Sequence, residues 1–167
     1  MIKYFMLFLV LVTCSLIGKY VAKKYVIRVN ELEEMKNALT MFQSKIKFTY
    51  EPIPEIFQEI ARNTSPNVGQ VFGLATEKMQ DLPANLAWEK AVEEMQNNLT
   101  KEDKRVLKIL SKLLGQTDVE GQTSQIEITQ KFLEAQLKEA QEQKEKNEKL
   151  YSKLGTTIGL AIVVILC

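Results

Sequence analysis

The stretch from Val29 to Pro54, VNELEEMKNALTMFQSKIKFTYEPIP, decides the fold class. Val29, Leu32, Met35, Leu39, Phe42 and Ile46 recur at intervals of three and four, which places them on one face of a helix. Pro52 and Pro54 then stop that helix, because proline lacks an amide proton and its ring clashes with the preceding turn. The same period returns outward along the chain. Ile53, Ile56, Phe57 and Ile60 form a second stripe, and Val68, Val71, Phe72, Ala75 and Met79 a third. Between them Asn63-Thr64-Ser65-Pro66 reads as a loop, with Ser65 as N-cap and Pro66 at the first helical position. Asp81-Leu82-Pro83 is another break, and Trp88, Ala91, Val92 and Met95 make a fourth helix ending near Asn97-Asn98.

Thr100-Lys101-Glu102-Asp103 has the form of a capping box, with aspartate in place of the commoner glutamate. Val106, Leu107, Leu110, Leu113 and Leu114 follow as a fifth stripe, and Gly115 is a natural helix terminator. Thr117-Asp118-Val119-Glu120 reads as a second capping box that opens a long last helix. No segment alternates with period two over a useful length, so no sheet is expected. The pattern predicts an all-α fold, a helical bundle of about six helices inserted between N-terminal and C-terminal membrane helices.

Those membrane helices are read from the ends. Residues 4–18 (YFMLFLVLVTCSLIG) and 154–167 (LGTTIGLAIVVILC) carry no charge. Each run is shorter than the roughly 20 residues of a full span, but flanking lysines can snorkel and Leu150 and Tyr151 lengthen the second. A cleaved signal peptide is the rival for the first run; Thr13-Cys14-Ser15 is a poor cleavage site because Leu16 and Ile17 continue the apolar run. Leu11-Val12-Thr13-Cys14 also approaches a lipoprotein box, with Thr13 where a smaller residue is expected. Cys14 and Cys167 are read as small apolar residues of these helices, with lipidation or a disulfide as the alternative. Lys19, Lys23, Lys24 and Arg28 follow the first run, and Lys144, Lys146, Lys149 and Lys153 precede the second. The positive-inside rule then puts the intervening region in the cytoplasm. The expected organisation is a transmembrane anchor over residues 1–24, a cytoplasmic bundle over 25–140, a polar helical stalk over 141–153 and a transmembrane segment over 154–167. The stalk (QEQKEKNEK over 141–149) has no apolar residue, and its seam is too polar for a strong coiled coil.

Composition narrows the function. Of 167 residues, 46% are hydrophobic and 26% charged, as in a folded protein. All 21 acidic residues and all the basic ones except Lys3 lie between Lys19 and Lys153, where they cancel, which argues against a nucleic-acid surface. There is no histidine, which removes Ser-His-Asp and Cys-His sites and histidine-ligated metals. The seven glycines are scattered and none belongs to a phosphate-binding GxxxxGK[ST] loop. No enzyme, cofactor, metal or small-molecule substrate is expected. Trp88 reads as core, and Glu55 and Glu59, a turn apart, as a solvated face. The least generic segment is Leu114-Gly115-Gln116-Thr117-Asp118 with Gln122 one turn on. Leu114, Gly115, Asp118 and Gln122 are the candidate partner-binding residues; the competing reading is a capped helix–helix turn.

Three features carry a resemblance over essentially the whole chain: the Pro52-Ile53-Pro54-Glu55 corner after a long first helix, Ala87-Trp88-Glu89 opening a later helix, and Leu114-Gly115-Gln116-Thr117-Asp118 leading to Gln122. In this order, between two apolar ends, the layout resembles the stage III sporulation protein AB family of endospore-forming bacteria. Phe48-Thr49-Tyr50 departs from the small residues expected before the proline corner. The resemblance implies a helical domain similar to the cytoplasmic domains of type II secretion F and type IV pilus platform proteins. It further implies a place in the mother cell–forespore channel complex, in the mother-cell-derived outer forespore membrane with the domain facing the mother cell cytoplasm. The implied partners are the stage III sporulation protein AA ATPase and the other stage III sporulation A membrane proteins. Two readings follow: a non-catalytic membrane platform that couples the ATPase to membrane partners, or a membrane- or lipid-anchored scaffold with no motor partner.

Overall fold

A computed structural model describes the backbone of residues 2–49 and 51–166, with side chains throughout 16–49 and 51–151 and at some positions nearer the ends. Tyr50, Cys167 and the side chain of Cys14 lie outside the described residues. The elements are α1 (Ile2–Phe48), α2 (Ile53–Asn63), α3 (Pro66–Lys78), α4 (Ala84–Glu94), α5 (Lys101–Lys108), a 3-10 turn (Ile109–Lys112) and α6 (Val119–Leu166). Among the described residues there is no strand, as the periodicity predicts. Also among the described residues, no helix is long and apolar enough to cross a membrane.

The chain divides into two compact units, Asn30–Lys138 and a pair formed by Met1–Val29 with Glu139–Cys167. The first unit holds the bundle core. The apolar stripe of α1 is buried there from Leu32 to Ile46, and each of the next stripes closes over it: Ile56, Phe57 and Ile60 of α2, Val68, Val71 and Phe72 of α3, Trp88, Ala91 and Val92 of α4. At the centre Phe42, Phe57, Phe72 and Trp88 form an aromatic cluster. Phe57 stands edge-on to Phe42 at 4.9 Å and to Phe72 at 5.2 Å, and Trp88 tilts against Phe57 at 5.4 Å and Phe72 at 5.3 Å. These are favoured edge-to-face separations. The Trp88 indole N–H donates to the Leu107 carbonyl at 2.8 Å, near the end of α5 where carbonyls lack helical partners. Across the outer side of α1, α6 runs antiparallel, tied by Lys36–Glu134 at 2.5 Å and by Gln43–Glu127 and Gln130–Thr40 at 2.9 Å.

Two carboxylates of α1, a turn apart, hold the loops on the other side. Glu31 is buried and accepts from Asn67 Nδ2 at 2.8 Å, from Asn98 Nδ2 at 3.0 Å and from the Asn98 amide at 2.9 Å. Glu34 accepts from both the amide and the hydroxyl of Ser65 at 2.5 Å. Ser65 does occupy the N-cap of α3 with Pro66 next, but its hydroxyl accepts no cap bond; the side chain is turned toward Glu34, to which the hydroxyl donates. The Thr100–Asp103 capping box is present in both directions.

Several boundaries depart from the expectation. α4 opens at Ala84, before Ala87-Trp88, because Pro83 already supplies the extended N-cap. It ends at Glu94, short of Asn97-Asn98, where Asn98 is held by Glu31. The fifth stripe tightens into a 3-10 turn at Ile109, since Leu110 and Leu114 are buried while Leu113 faces out. The second cap is Asp118 rather than Thr117: its Oδ1 accepts from the Gly121 amide at 2.9 Å.

The other unit includes residues 140–151 of α6. They lie beside residues 22–29 of α1, where buried Arg28 donates to Gln143 Oε1 at 2.9 Å and Tyr25 stacks on Tyr151 at 6.0 Å. Buried Ala22 and Ala140 are small enough to let the two helices approach.

Candidate functional site

The corner singled out by the sequence begins where the 3-10 turn ends. Leu113 leaves helical geometry, the Gln116 amide donates to the Leu113 carbonyl at 3.1 Å, and Gly115 takes the left-handed φ of +70°. Only glycine adopts that φ at low cost. A Cβ on Gly115 would also stand 3.1 Å from Ala84 Cβ and 3.7 Å from Ile53 Cδ1. The turn therefore rests on the first residues of α4 and α2. The proline corner, the start of α4 and the glycine turn, far apart in sequence, converge at one end of the bundle.

The candidate side chains divide between holding this corner and facing solvent. Leu114 is buried and anchors the turn. Asp118 is exposed and caps α6 through the Gly121 amide. Gln122 folds back: its Nε2 donates to the Thr117 carbonyl at 3.1 Å, and the Gly115 amide points at its Oε1 at a long 3.5 Å. The structure thus brings Gly115, Asp118 and Gln122 together, as one internally bonded turn with Leu114 beneath. Gly115, Gln116 and Asp118 remain open to solvent. Leu113 and Leu86, each two residues along the chain from the Gly115–Ala84 contact, are 37% and 45% exposed. Beside the proline corner, Lys45 bonds Glu59 at 2.7 Å and lies 3.5 Å from Glu51. The Glu59 bond holds its ammonium above the usual lysine range, with Glu51 adding to the effect and partial desolvation opposing it. Glu59 is thereby committed to an ion pair. Among the described residues no three carboxylate or cysteine side chains come together to hold a metal ion.

The family model described as stage III sporulation protein AB matches residues 3–167. The chain belongs to the stage III sporulation protein AB family. It is similar to stage III sporulation protein AB of Bacillus subtilis (strain 168), with 26% identity over 161 residues covering 94% of each chain. A solved structure of a stage III sporulation protein AB (SpoIIIAB) superimposes with a TM-score of 0.66, covering 71% of this chain and 96% of that one. At 23% identity, that likeness shows the shared fold.

The glycine turn is the part of the corner most open to test. Gly115→Ala is expected to lower the unfolding free energy by about 1–3 kcal/mol, from the left-handed backbone and the crowding of Ala84. Gly73→Ala, inside α3 with nothing within 4 Å of the new Cβ, is expected to raise it by about 0.5–1 kcal/mol. Urea titration of the full chain in detergent, followed by emission of the single tryptophan, measures both. Equal effects at the two sites would remove the argument that the corner needs glycine.

What sequence reading missed is the convergence itself and the exposure of Leu86 and Leu113. The only available signal was that three helix starts, after Pro52, Pro83 and Gly115, share proline or glycine punctuation.

Proposed function

We propose that this member of the stage III sporulation protein AB family is a non-catalytic membrane platform, anchored by the apolar runs at both ends. Its helical unit engages a cytoplasmic ATPase, the stage III sporulation protein AA protein, and passes that contact to membrane partners of the same complex. The observation that carries this reading is the corner where the proline turn, the start of α4 and the glycine turn meet. Its side chains are bonded to one another, so it presents a rigid face with Leu86 and Leu113 uncovered. Ile128 and Phe132, 41% and 51% exposed and one turn apart on α6, are further apolar surface for a second partner. Anchoring is supported by the uncharged runs at 4–18 and 154–167 and by Tyr20, Tyr25 and Tyr151 beside them, where aromatic residues favour a membrane interface. In this reading the helical unit faces the mother cell cytoplasm from the outer forespore membrane.

Titration of the ATPase with the full chain in nanodiscs tests it. Saturable binding is expected, weakened about tenfold or more by Leu113→Asp with Leu86→Asp, since burying an unpaired charge at a contact costs well over 1.4 kcal/mol. Asp118→Ala and Gln122→Ala, which loosen the corner, should weaken it less. Absence of binding to the folded protein would instead favour a membrane- or lipid-anchored scaffold with no motor partner.

A further inference from the structure

The helix pair formed by the two ends of the chain is laced by polar and aromatic contacts. Buried Arg28 donates to Gln143 Oε1 at 2.9 Å, and Gln143 Nε2 donates in turn to Glu139 Oε1 at 2.8 Å. Tyr25 stacks on Tyr151 at 6.0 Å, and Ala22 and Val26 line one cleft with Glu148. Together these contacts fix one antiparallel register, because a shift along either helix would separate Arg28 from its acceptor. Continued toward the chain ends at about 1.5 Å per residue on each helix, that register sets Gly18 level with Gly155 and Cys14 level with Gly159.

Burial over the first run is the reverse of that in a helix packed in water. Gly18 and Ala22 are buried, whereas Leu16, Ile17 and Tyr20 are each more than half exposed and Leu9 and Val12 are exposed as well. At the helical period those large side chains fall on the face opposite Gly18 and Ala22. Small residues inward and large apolar residues outward is how helices pack on each other in lipid, where close backbone approach drives association. On α6, Leu150, Lys153, Leu154, Thr157 and Ala161 are exposed. The face that carries Tyr151 continues one turn on at Gly155 and a further turn on at Gly159, a Gly-x-x-x-Gly pair.

We propose that the two uncharged runs insert into the membrane as one hairpin, with residues 154–167 docked through Gly155 and Gly159 along the Cys14–Gly18–Ala22 face of α1. The proposal rests on reading these runs as membrane anchors. The occupant of the α1 face is this chain's own last run and not a second copy, because the face continues the contact that Arg28 and Tyr25 already make with α6. Fourteen residues of helix rise about 21 Å, short of the roughly 30 Å of a hydrocarbon core. The last run therefore gains from α1 the hold that its own length does not supply.

The test is a disulfide scan of the full chain, synthesised cell-free into nanodiscs, with Cys167→Ser leaving Cys14 as the one native thiol. Cysteine is placed at one further position at a time and the protein is oxidised with copper phenanthroline. The bond within one chain is expected to form about fivefold or more faster with Ile158→Cys or Gly159→Cys than with Thr157→Cys or Ala161→Cys, since only close Cα atoms can be bridged. Gly18→Leu combined with Ala22→Leu should slow it about fivefold or more by holding the backbones apart, while Ile17→Ala on the exposed face should leave it unchanged. Unaltered emission of Trp88 shows that the helical unit stays folded in each variant. Equal rates at all four positions, or bonds that join two chains, overturn the hairpin while leaving the anchors standing. A folded chain that stays out of the nanodiscs overturns the anchor reading, and the hairpin with it.

Discussion

Replacing Trp88 by alanine is expected to lower the unfolding free energy of the helical unit by about 3–5 kcal/mol, the range for removing a large buried aromatic. Trp88 is fully buried between Phe57 and Phe72 and is where α4 meets both α2 and α3. Alanine leaves a void on the order of a benzene ring that neighbouring helices cannot fill, because Pro54 and Pro66 fix where α2 and α3 begin. It also removes the indole bond to the Leu107 carbonyl, which joins α4 to the end of α5. Trp88→Phe keeps most of the aromatic contact and loses the bond, so about 1–2 kcal/mol is expected. Urea titration by circular dichroism separates the two. If alanine costs no more than phenylalanine, the cluster is not the keystone of the bundle.

The second large effect is at Glu31. Glu31 is 3% exposed, and its carboxylate accepts three hydrogen bonds, from the side chains of Asn67 and Asn98 and the Asn98 amide. Glu31→Ala removes the acceptor that these donors share; Asn67 and Asn98 are themselves exposed and can turn to water, so the loss expected is about 2–3 kcal/mol, that of hydrogen bonds to one charged group. Glu31→Gln keeps the shape but replaces one acceptor oxygen with a donor that faces another donor, so about 1–2 kcal/mol is expected. The consequence should be local as well as global. Amide exchange should quicken first in the loop over residues 95–99, which Glu31 holds to α1. Uniform quickening across the bundle would show that Glu31 acts only as one more core residue.

The pair of results bears on function because only one of the two residues sets where the corner stands. Trp88 fixes α4 against α2, and the first residues of those helices are what Gly115 packs on. A variant that loosens Trp88 should therefore weaken partner binding at the corner without touching it, whereas a variant of Glu31 should leave the corner in place.

The helices themselves were legible in the residues. Val29 to Ile46, Ile53 to Ile60 and Val68 to Ala75 repeat at helical spacing, and all but a few of those apolar side chains are buried. Proline and glycine punctuation placed the breaks, and Thr100-Asp103 announced its own cap. Such features are local: the spacing of neighbours along the chain is sufficient to produce them. At the candidate site, the sequence identified a turn and named Gly115, Asp118 and Gln122, which do bond into one turn.

Local pattern could not rank competing partners for the same group. Ser65 stands at a helix start in either case, but its hydroxyl caps α3 or meets Glu34 according to where α1 lies, and tertiary packing brings Glu34 within 2.5 Å. Glu31 looks like any charged residue between apolar ones; only the arrival of Asn67 and Asn98 makes its burial tolerable. The polar run over 141–149 has no apolar residue to announce a neighbour, yet residues flanking and within it meet α1 through Arg28 and Tyr25. The sequence alone determined that this is an all-helical chain with uncharged ends, a proline corner and a glycine turn, because those follow from backbone chemistry and nearest-neighbour spacing. Only the tertiary structure decided that the proline corner and the glycine turn are one place, because contacts between residues more than 60 positions apart depend on how every intervening helix packs.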